Sequence, residues 1–474
     1  MVFSSALFLF FFFPVFLVGY FLLPNYLKNT WILFASLSFY YWGAPIFIYL
    51  LVTATIIDFF LINEIHKSKT ITRKKVFLVA SLTLNLGLLA YFKYANFFIE
   101  NFNVALNNIG VSEVSWTKIA LPIGISFYTF ETLTYAIDVY RGVHEPLKRI
   151  HHYLLYIVCF PKLIAGPIVR FNVIADQIPH RNETTDNRIF GFYRFTIGLA
   201  KKVLIANTLG AFASETMGLS PDHLDSGTAW LGILAYTFQI YFDFSGYSDM
   251  AIGIGKMIGF SFSENFDNPY NSRSITEFWR RWHMTLGDWM KNYLYIPLGG
   301  NQVSSNTRLY INLITVFLLS GLWHGASWNF VIWGAFHGLF LILDRIFLYK
   351  WLQAIGIIPS VLFTFFVVMI GWVFFSIEKF SDAMNYIKIL FSFDFHIESL
   401  LFSNEFYFTL FIAVVFSFIG ILGFGKRIQL LIYREINYSV PQALTVLIVA
   451  VILYGVSASY ITATGFNPFI YFRF

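Results

Sequence analysis

Ser320-Gly-Leu-Trp-His324-Gly-Ala-Ser-Trp-Asn-Phe-Val-Ile-Trp-Gly-Ala-Phe-His337-Gly338 lies inside an apolar run covering residues 309–347. That run exceeds the ~20 residues of one bilayer crossing and is dotted with glycine and histidine. A Gly-x-x-His-Gly unit occurs in it twice, at Gly321 to Gly325 and at Gly334 to Gly338. Glycines four apart share a helix face and let a second helix approach closely, which places each histidine at a packed crossing. On one continuous helix, His324 and His337 would be separated by about 20 Å and about 140° of rotation. Only one of them can then readily occupy a given reaction centre.

Comparable apolar runs cover residues 2–23, 30–62, 76–98, 119–139, 153–168, 189–213, 228–260, 358–376, 406–423 and 443–462. Of 474 residues, 57% are hydrophobic, 21% aromatic and only 12% charged, against roughly 25% charged in soluble domains. A soluble domain is excluded. At ~20 residues per helix the apolar content could supply about ten to thirteen spans, so the expected fold is an all-α polytopic membrane protein. Pro45, Pro122, Pro161 and Pro167 predict kinked or re-entrant pieces, which survive at membrane depth only where protein or a water-filled cavity covers them. Residues 2–23 lack a basic flank and are longer than a signal-peptide core, so they read as a retained first span. With no Pro/Ser-rich linker, residues 1–474 are expected to form a single domain.

The single cysteine, Cys159, cannot form an intrachain disulfide, and no Cys-x-x-Cys pair suggests zinc. His151 and His152 are adjacent and so point to different sides of a helix or strand; no metal site is expected. Neither a Gly-x-Ser-x-Gly elbow nor a P-loop is present, which leaves covalent serine catalysis and ATP hydrolysis without support. The surplus of six positive charges suits membrane topology rather than nucleic-acid binding. Basic clusters at 67–75, 141–149 and 426–434 mark cytoplasmic loops, and counting spans outward from them puts both termini outside. Residues 378–405, poor in basic side chains, are the best candidate for an exterior loop.

Polar side chains at membrane depth are functional candidates by default, and three regions hold most of them. The first, Gln239-Ile-Tyr-Phe-Asp243-Phe-Ser-Gly-Tyr-Ser-Asp249, either ties helices together or lines a substrate route. Glu277-Phe-Trp-Arg280-Arg281-Trp-His283-Met-Thr-Leu-Gly-Asp-Trp289 is too charged to span. It reads as an interfacial or re-entrant helix whose arginines either meet lipid phosphates or guide an anionic donor toward His283. The third is the opening stretch, with Trp323 and Asn329 beside the histidines. There His324 is either a helix–helix hydrogen-bond partner or a general base, since an apolar setting keeps imidazole neutral.

Trp279-Arg-Arg-Trp-His283, Tyr295-Ile-Pro-Leu-Gly-Gly300, Gly321-Leu-Trp-His324-Gly-Ala-Ser-Trp328 and Trp333-Gly-Ala-Phe-His337-Gly338 together resemble the membrane-bound O-acyltransferase family. The match is strongest to its bacterial branch, which O-acetylates exported polysaccharides such as alginate or peptidoglycan. Tyr241 to Asp249 and Pro161 to Pro167 extend the likeness upstream, and the motif core covers residues 239–338. The resemblance implies a ring of about 10–12 tilted and re-entrant helices around a central acyl-transfer tunnel, with funnels from both faces meeting at the essential histidine, His324. The family's second recurrent polar position falls nearest His283. Arg280, Arg281, Trp323, Asp243, Asp249, Asn329 and Gln239 are then the substrate-binding candidates. The implied protein sits in the bacterial inner membrane and holds no permanent cofactor. It takes acetyl from acetyl-CoA or another cytoplasmic thioester and passes it toward an exported partner or polysaccharide. A transporter or flippase, whose midplane polar groups and broken helices would look alike, is the alternative; it predicts internal repeats of spans, and beyond the two short glycine–histidine units none is found.

Overall fold

A computed structural model describes residues 1–220, 223–395, 402–465 and 468–470. The chain divides into two compact units, Met1–Arg188 with Ile254–Ser263, and Ile189–Gly253 with Glu264–Phe474. Among the described residues the regular structure is helical, without a strand. A helix satisfies its own backbone where no water can. Among the described residues six helices are long and apolar enough to cross a membrane: Phe47–Lys67, Ile71–Asn108, Trp328–Ala354, Ile357–Ser376, Asn404–Ile421 and Val440–Thr464. The protein is an all-α polytopic membrane protein.

Several apolar runs are broken where proline or glycine interrupts them. The run 30–62 is cut at Ala44 and Pro45, between Asn25–Gly43 and Phe47–Lys67, because proline offers no amide proton to the helix ladder. The run 153–168 is not one helix either. Ile150–Val158 ends at Cys159, Phe160–Leu163 restarts with Pro161 in its first turn, and the rest is irregular. Within 378–405, expected as an exterior loop, Phe380–Leu390 forms an amphipathic helix; residues 396–401 of that segment lie outside the described residues.

Buried polar contacts bind the helices of the first unit. Asp58, fully buried on Phe47–Lys67, accepts hydrogen bonds from Ser81, from Asn85 Nδ2 at 3.1 Å and from Tyr153 Oη at 2.7 Å. Three helices thereby share one carboxyl group. The irregular segment after Cys159 is held by a buried ion pair between Lys162 and Glu131, with Lys162 also donating to the Tyr156 carbonyl. In a membrane, where lipid is as apolar as leucine, such contacts and close packing do much of the work of helix association.

The second unit contains most of the 32-residue helix Ser226–Met257 and the helical hairpin Asn306–His324 and Trp328–Leu343. Ser305 caps the first hairpin helix by accepting from Arg308 N at 3.2 Å, satisfying one of its otherwise unpaired amides. The hairpin closes through glycine. A Cβ on Gly321 would collide with the Phe330 carbonyl, one on Gly334 with the Phe317 carbonyl, and one on Gly338 with Ile314. Glycine is required at Gly321 and Gly334 because two helix backbones touch there, whereas at Gly338 the close neighbour is the end of the Ile314 side chain.

Candidate active site

His324 ends the first hairpin helix; Gly325 follows in extended conformation, and Ser327 opens the second helix. The stretch is therefore a hairpin, and the separation expected on a continuous helix does not hold. The His324 and His337 ring centroids each lie 5.1 Å from that of Trp333, on opposite links of one aromatic chain. Trp323, Trp333 and Phe375 surround His324 at 5.0, 5.1 and 5.2 Å between ring centroids. His337 packs against Trp279 at 4.9 Å, is fully buried, and its ring nitrogens find no hydrogen-bond partner among the described residues.

The charged stretch 277–289 is two short helices rather than one. Ile275–Arg281 starts at Ser274, whose hydroxyl accepts from Glu277 N, and Met284–Met290 follows a turn at Trp282 and His283. His283 makes that turn with φ 46° and ψ 52°, a left-handed conformation uncommon outside glycine and costly enough to need support from its surroundings. Asn265 supplies it. The Asn265 carbonyl accepts from Met284 N at 2.9 Å, and the Asn265 side-chain oxygen stands 3.0 Å from His283 Nδ1. Trp282 and Trp289 are buried in protein.

His283 and His324 line one cavity of about 220 Å³. Arg280, Lys291, Ser320 and Tyr295 share its wall, and among its lining residues there is no carboxylate. Two imidazoles beside two cations suit chemistry in which negative charge develops on oxygen. His337 does not line this cavity.

A second, more polar cavity of about 660 Å³ is lined by Arg281, Asp249, Ser248, Asn265, Lys426 and Arg434, among others. The adjacent arginines are thus divided, Arg280 facing the histidines and Arg281 the polar cavity. Arg281 is also tied to Glu277 at 2.6 Å. Asp249 is held by Arg194 and Lys201, each at 2.7 Å, and Arg194 continues to Glu264 at 2.6 Å. Asp243 pairs with Lys202 at 3.0 Å and accepts from Ile470 N at 3.0 Å. Gln239 packs against Gly210, and Asn329 donates to the Ile377 carbonyl. Of the sequence candidates, His283, His324 and Arg280 come together at one cavity with Trp323 packed on both histidine rings. Gln239, Asp243 and Asn329 line neither cavity, whereas Asp249 and Arg281 line the polar one. Sequence reasoning missed Asn265, whose role depends on contacts distant along the chain, and did not single out Lys291 and Ser320 on the cavity wall.

The protein is thus an all-helical membrane protein with two histidines and two cations on the wall of one acid-free cavity; among the described residues no cluster of three His, Cys, Asp or Glu side chains is placed to hold a metal. Residues 147–380 match the membrane-bound O-acyltransferase family. Over 509 aligned residues, covering all of both chains, the protein is 40% identical to a "probable alginate O-acetylase" of Azotobacter vinelandii. It is 45% identical to the Pseudomonas aeruginosa protein of the same description, over 83% of this chain and 75% of the relative. A peptidoglycan O-acetyltransferase of Helicobacter pylori is 37% identical over 82% of this chain and 79% of its own. The chain belongs to the membrane-bound O-acyltransferase family and is an acyltransferase.

Proposed function

We propose that the protein is an O-acetyltransferase of the bacterial inner membrane that carries acetyl from a cytoplasmic thioester, such as acetyl-CoA, to hydroxyl groups of an exported polysaccharide. The acceptor class rests on relatives described as acting on alginate and on peptidoglycan. The direction rests on the basic clusters, which the positive-inside rule assigns to the cytoplasmic side; the same assignment puts both termini outside. Residues 1–474 serve as one acyltransferase domain with its motif core at 239–338, and an exported partner protein delivers the acetyl group or selects the glycan.

The observation that carries the reading is the shared cavity of His283 and His324. His324 takes the proton of the attacking hydroxyl as its oxygen bonds to the thioester carbonyl carbon. The tetrahedral oxyanion then collapses, the carbon–sulfur bond breaks, and the imidazolium returns the proton to the thiolate. The products are the O-acetyl ester and a free thiol. His283 offers a second hydrogen-bond acceptor on the same wall, while Arg280 and Lys291 favour the anionic intermediate and an anionic donor. The cavity needs no resident cofactor for these steps.

The test is transfer of labelled acetyl by the purified protein in vesicles, with acetyl-CoA on one side and glycan fragments on the other. Thiol release matched by ester formation is expected, and His324→Ala should reduce both by roughly 10²- to 10⁴-fold, the usual contribution of a general base. Translocation of glycan without thiol release would instead identify a transporter.

A further inference from the structure

We infer that Asn265 is a positioning residue that locks the imidazole of His283 in one tautomer, protonated at Nδ1 and bare at Nε2. The inference rests on the proposed acetyl transfer only for its kinetic consequence; the tautomer itself follows from the contacts.

The side-chain oxygen of Asn265 accepts from the Thr285 backbone N–H at 3.3 Å and from Thr285 Oγ1 at 2.9 Å. A backbone amide can only donate, so this atom must be the carbonyl oxygen and not the amide nitrogen. The amide nitrogen is accounted for separately, donating to Ser248 Oγ at 3.0 Å. His283 Nδ1 lies 3.0 Å from the same oxygen. Two lone pairs cannot face each other at that distance, and Nδ1 therefore carries the proton. Asn265 and His283 are both buried, at 1% and 2% exposure, so water does not compete for the contact.

Nε2 is then a lone-pair acceptor, and it has no hydrogen-bond partner among the described residues. It is the nitrogen left for a substrate O–H. The same assignment denies neutral His283 the role of oxyanion donor, because its one N–H is committed to Asn265. A carboxamide does not pass a proton onward as a carboxylate could accept one, so the contact orients the ring rather than draining its proton. The left-handed turn at His283 and the bond from Met284 N to the Asn265 carbonyl fix the backbone beneath the ring. Phe244 presses on the ring edge-on at 4.7 Å.

Around His283, the charged and titratable groups are Arg280, Lys291, Tyr295 and His324 on the cavity side, and Arg194, Lys201, Tyr241, Asp249, Glu264, Asp267, Arg281, Lys426, Tyr433 and Arg434 beyond Asn265 in the polar cavity. Asn265→Asp keeps an acceptor at Nδ1 but adds a negative charge that stabilises the imidazolium, so the acid limb of the kcat/KM profile should move to higher pH. Asn265→Leu removes the acceptor and frees the tautomer. It should lower kcat by about 10- to 100-fold, the usual range for loss of a group that orients a functional histidine, without moving the acid limb upward. A purely packing role would change the yield of folded protein and leave both pH profiles like that of the wild type; that result overturns the inference.

Solid-state 15N spectra of the full-length protein with labelled histidine, compared with His283→Gln to assign the signal, give a second measurement independent of turnover. A His283 protonated at Nδ1 is expected, and one protonated at Nε2 would overturn the assignment. If wild-type protein transfers no acetyl, the proposed function fails, while these spectra still decide the tautomer.

Discussion

His324 and His337 show how much a single residue's meaning depends on one break in the chain. Read as one helix, the two were far apart; the turn at Gly325 sets both against Trp333, yet only His324 reaches the cavity. His337→Ala should therefore act mainly on folded yield, since it empties a fully buried site, while specific activity per folded molecule stays close to wild type. Size-exclusion profiles and turnover normalised to folded protein would separate the two effects, and loss of specific activity comparable to that of His324→Ala would place His337 in the chemistry. The arginine pair makes a similar point. Neighbouring residues on a helix point about 100° apart, and Arg280 and Arg281 accordingly serve different cavities. If Arg280 meets an anionic donor, Arg280→Ala should raise donor KM by about tenfold, as loss of a charged hydrogen bond does. Arg281→Ala should do less, its guanidinium being already engaged by Glu277. Donor titrations at fixed acceptor would decide this, and equal effects from both variants would remove the distinction.

At the scale of elements, hydropathy made the helical content legible because burial in lipid leaves the backbone few other choices. Pro45 and Pro161 marked real breaks, and the paired glycines of the 320–338 stretch marked a real helix contact. What stayed hidden were the relations between distant positions. Nothing near Asp249 announces Arg194 or Lys201, and nothing near His283 announces Asn265, since these partners meet only after the helices pack. The left-handed turn at His283 was equally invisible, because no glycine or asparagine occupies that position. The hairpin itself yields a prediction. Valine at Gly334 would drive its side chain into the Phe317 carbonyl on the facing helix, and overpacking of this kind costs about 1–3 kcal/mol. Gly334→Val should lower the unfolding temperature in detergent and reduce activity by displacing His324. Valine at Gly87, where a Cβ meets nothing within 4 Å, is the control; equal stability of the two variants would deny the close contact of the hairpin helices.

For the whole molecule, the decisive property is which face looks into the cytoplasm, because under the proposed function that sets the side on which a thioester donor would be met. Basic residues near membrane-spanning segments stay inside; Lys69 lies in the short connection between Phe47–Lys67 and Ile71–Leu89, and Arg73, Lys74 and Lys75 lie in the opening turns of the second of these helices. Cysteine labelling can read this orientation, provided that the reporter is accessible in the folded protein. Ser68 is a poor position, being buried with its hydroxyl bonded to the Glu64 carbonyl; a cysteine there would escape reagent on either side. Lys69 is exposed, as is Lys379 in the segment expected outside. The native Cys159 is buried and contributes little background. In intact spheroplasts treated with a membrane-impermeant maleimide, Lys379→Cys should label and Lys69→Cys should not, with Lys69→Cys becoming reactive once the membrane is opened. The reverse pattern would invert the protein in the membrane and overturn the proposed direction of acetyl transfer.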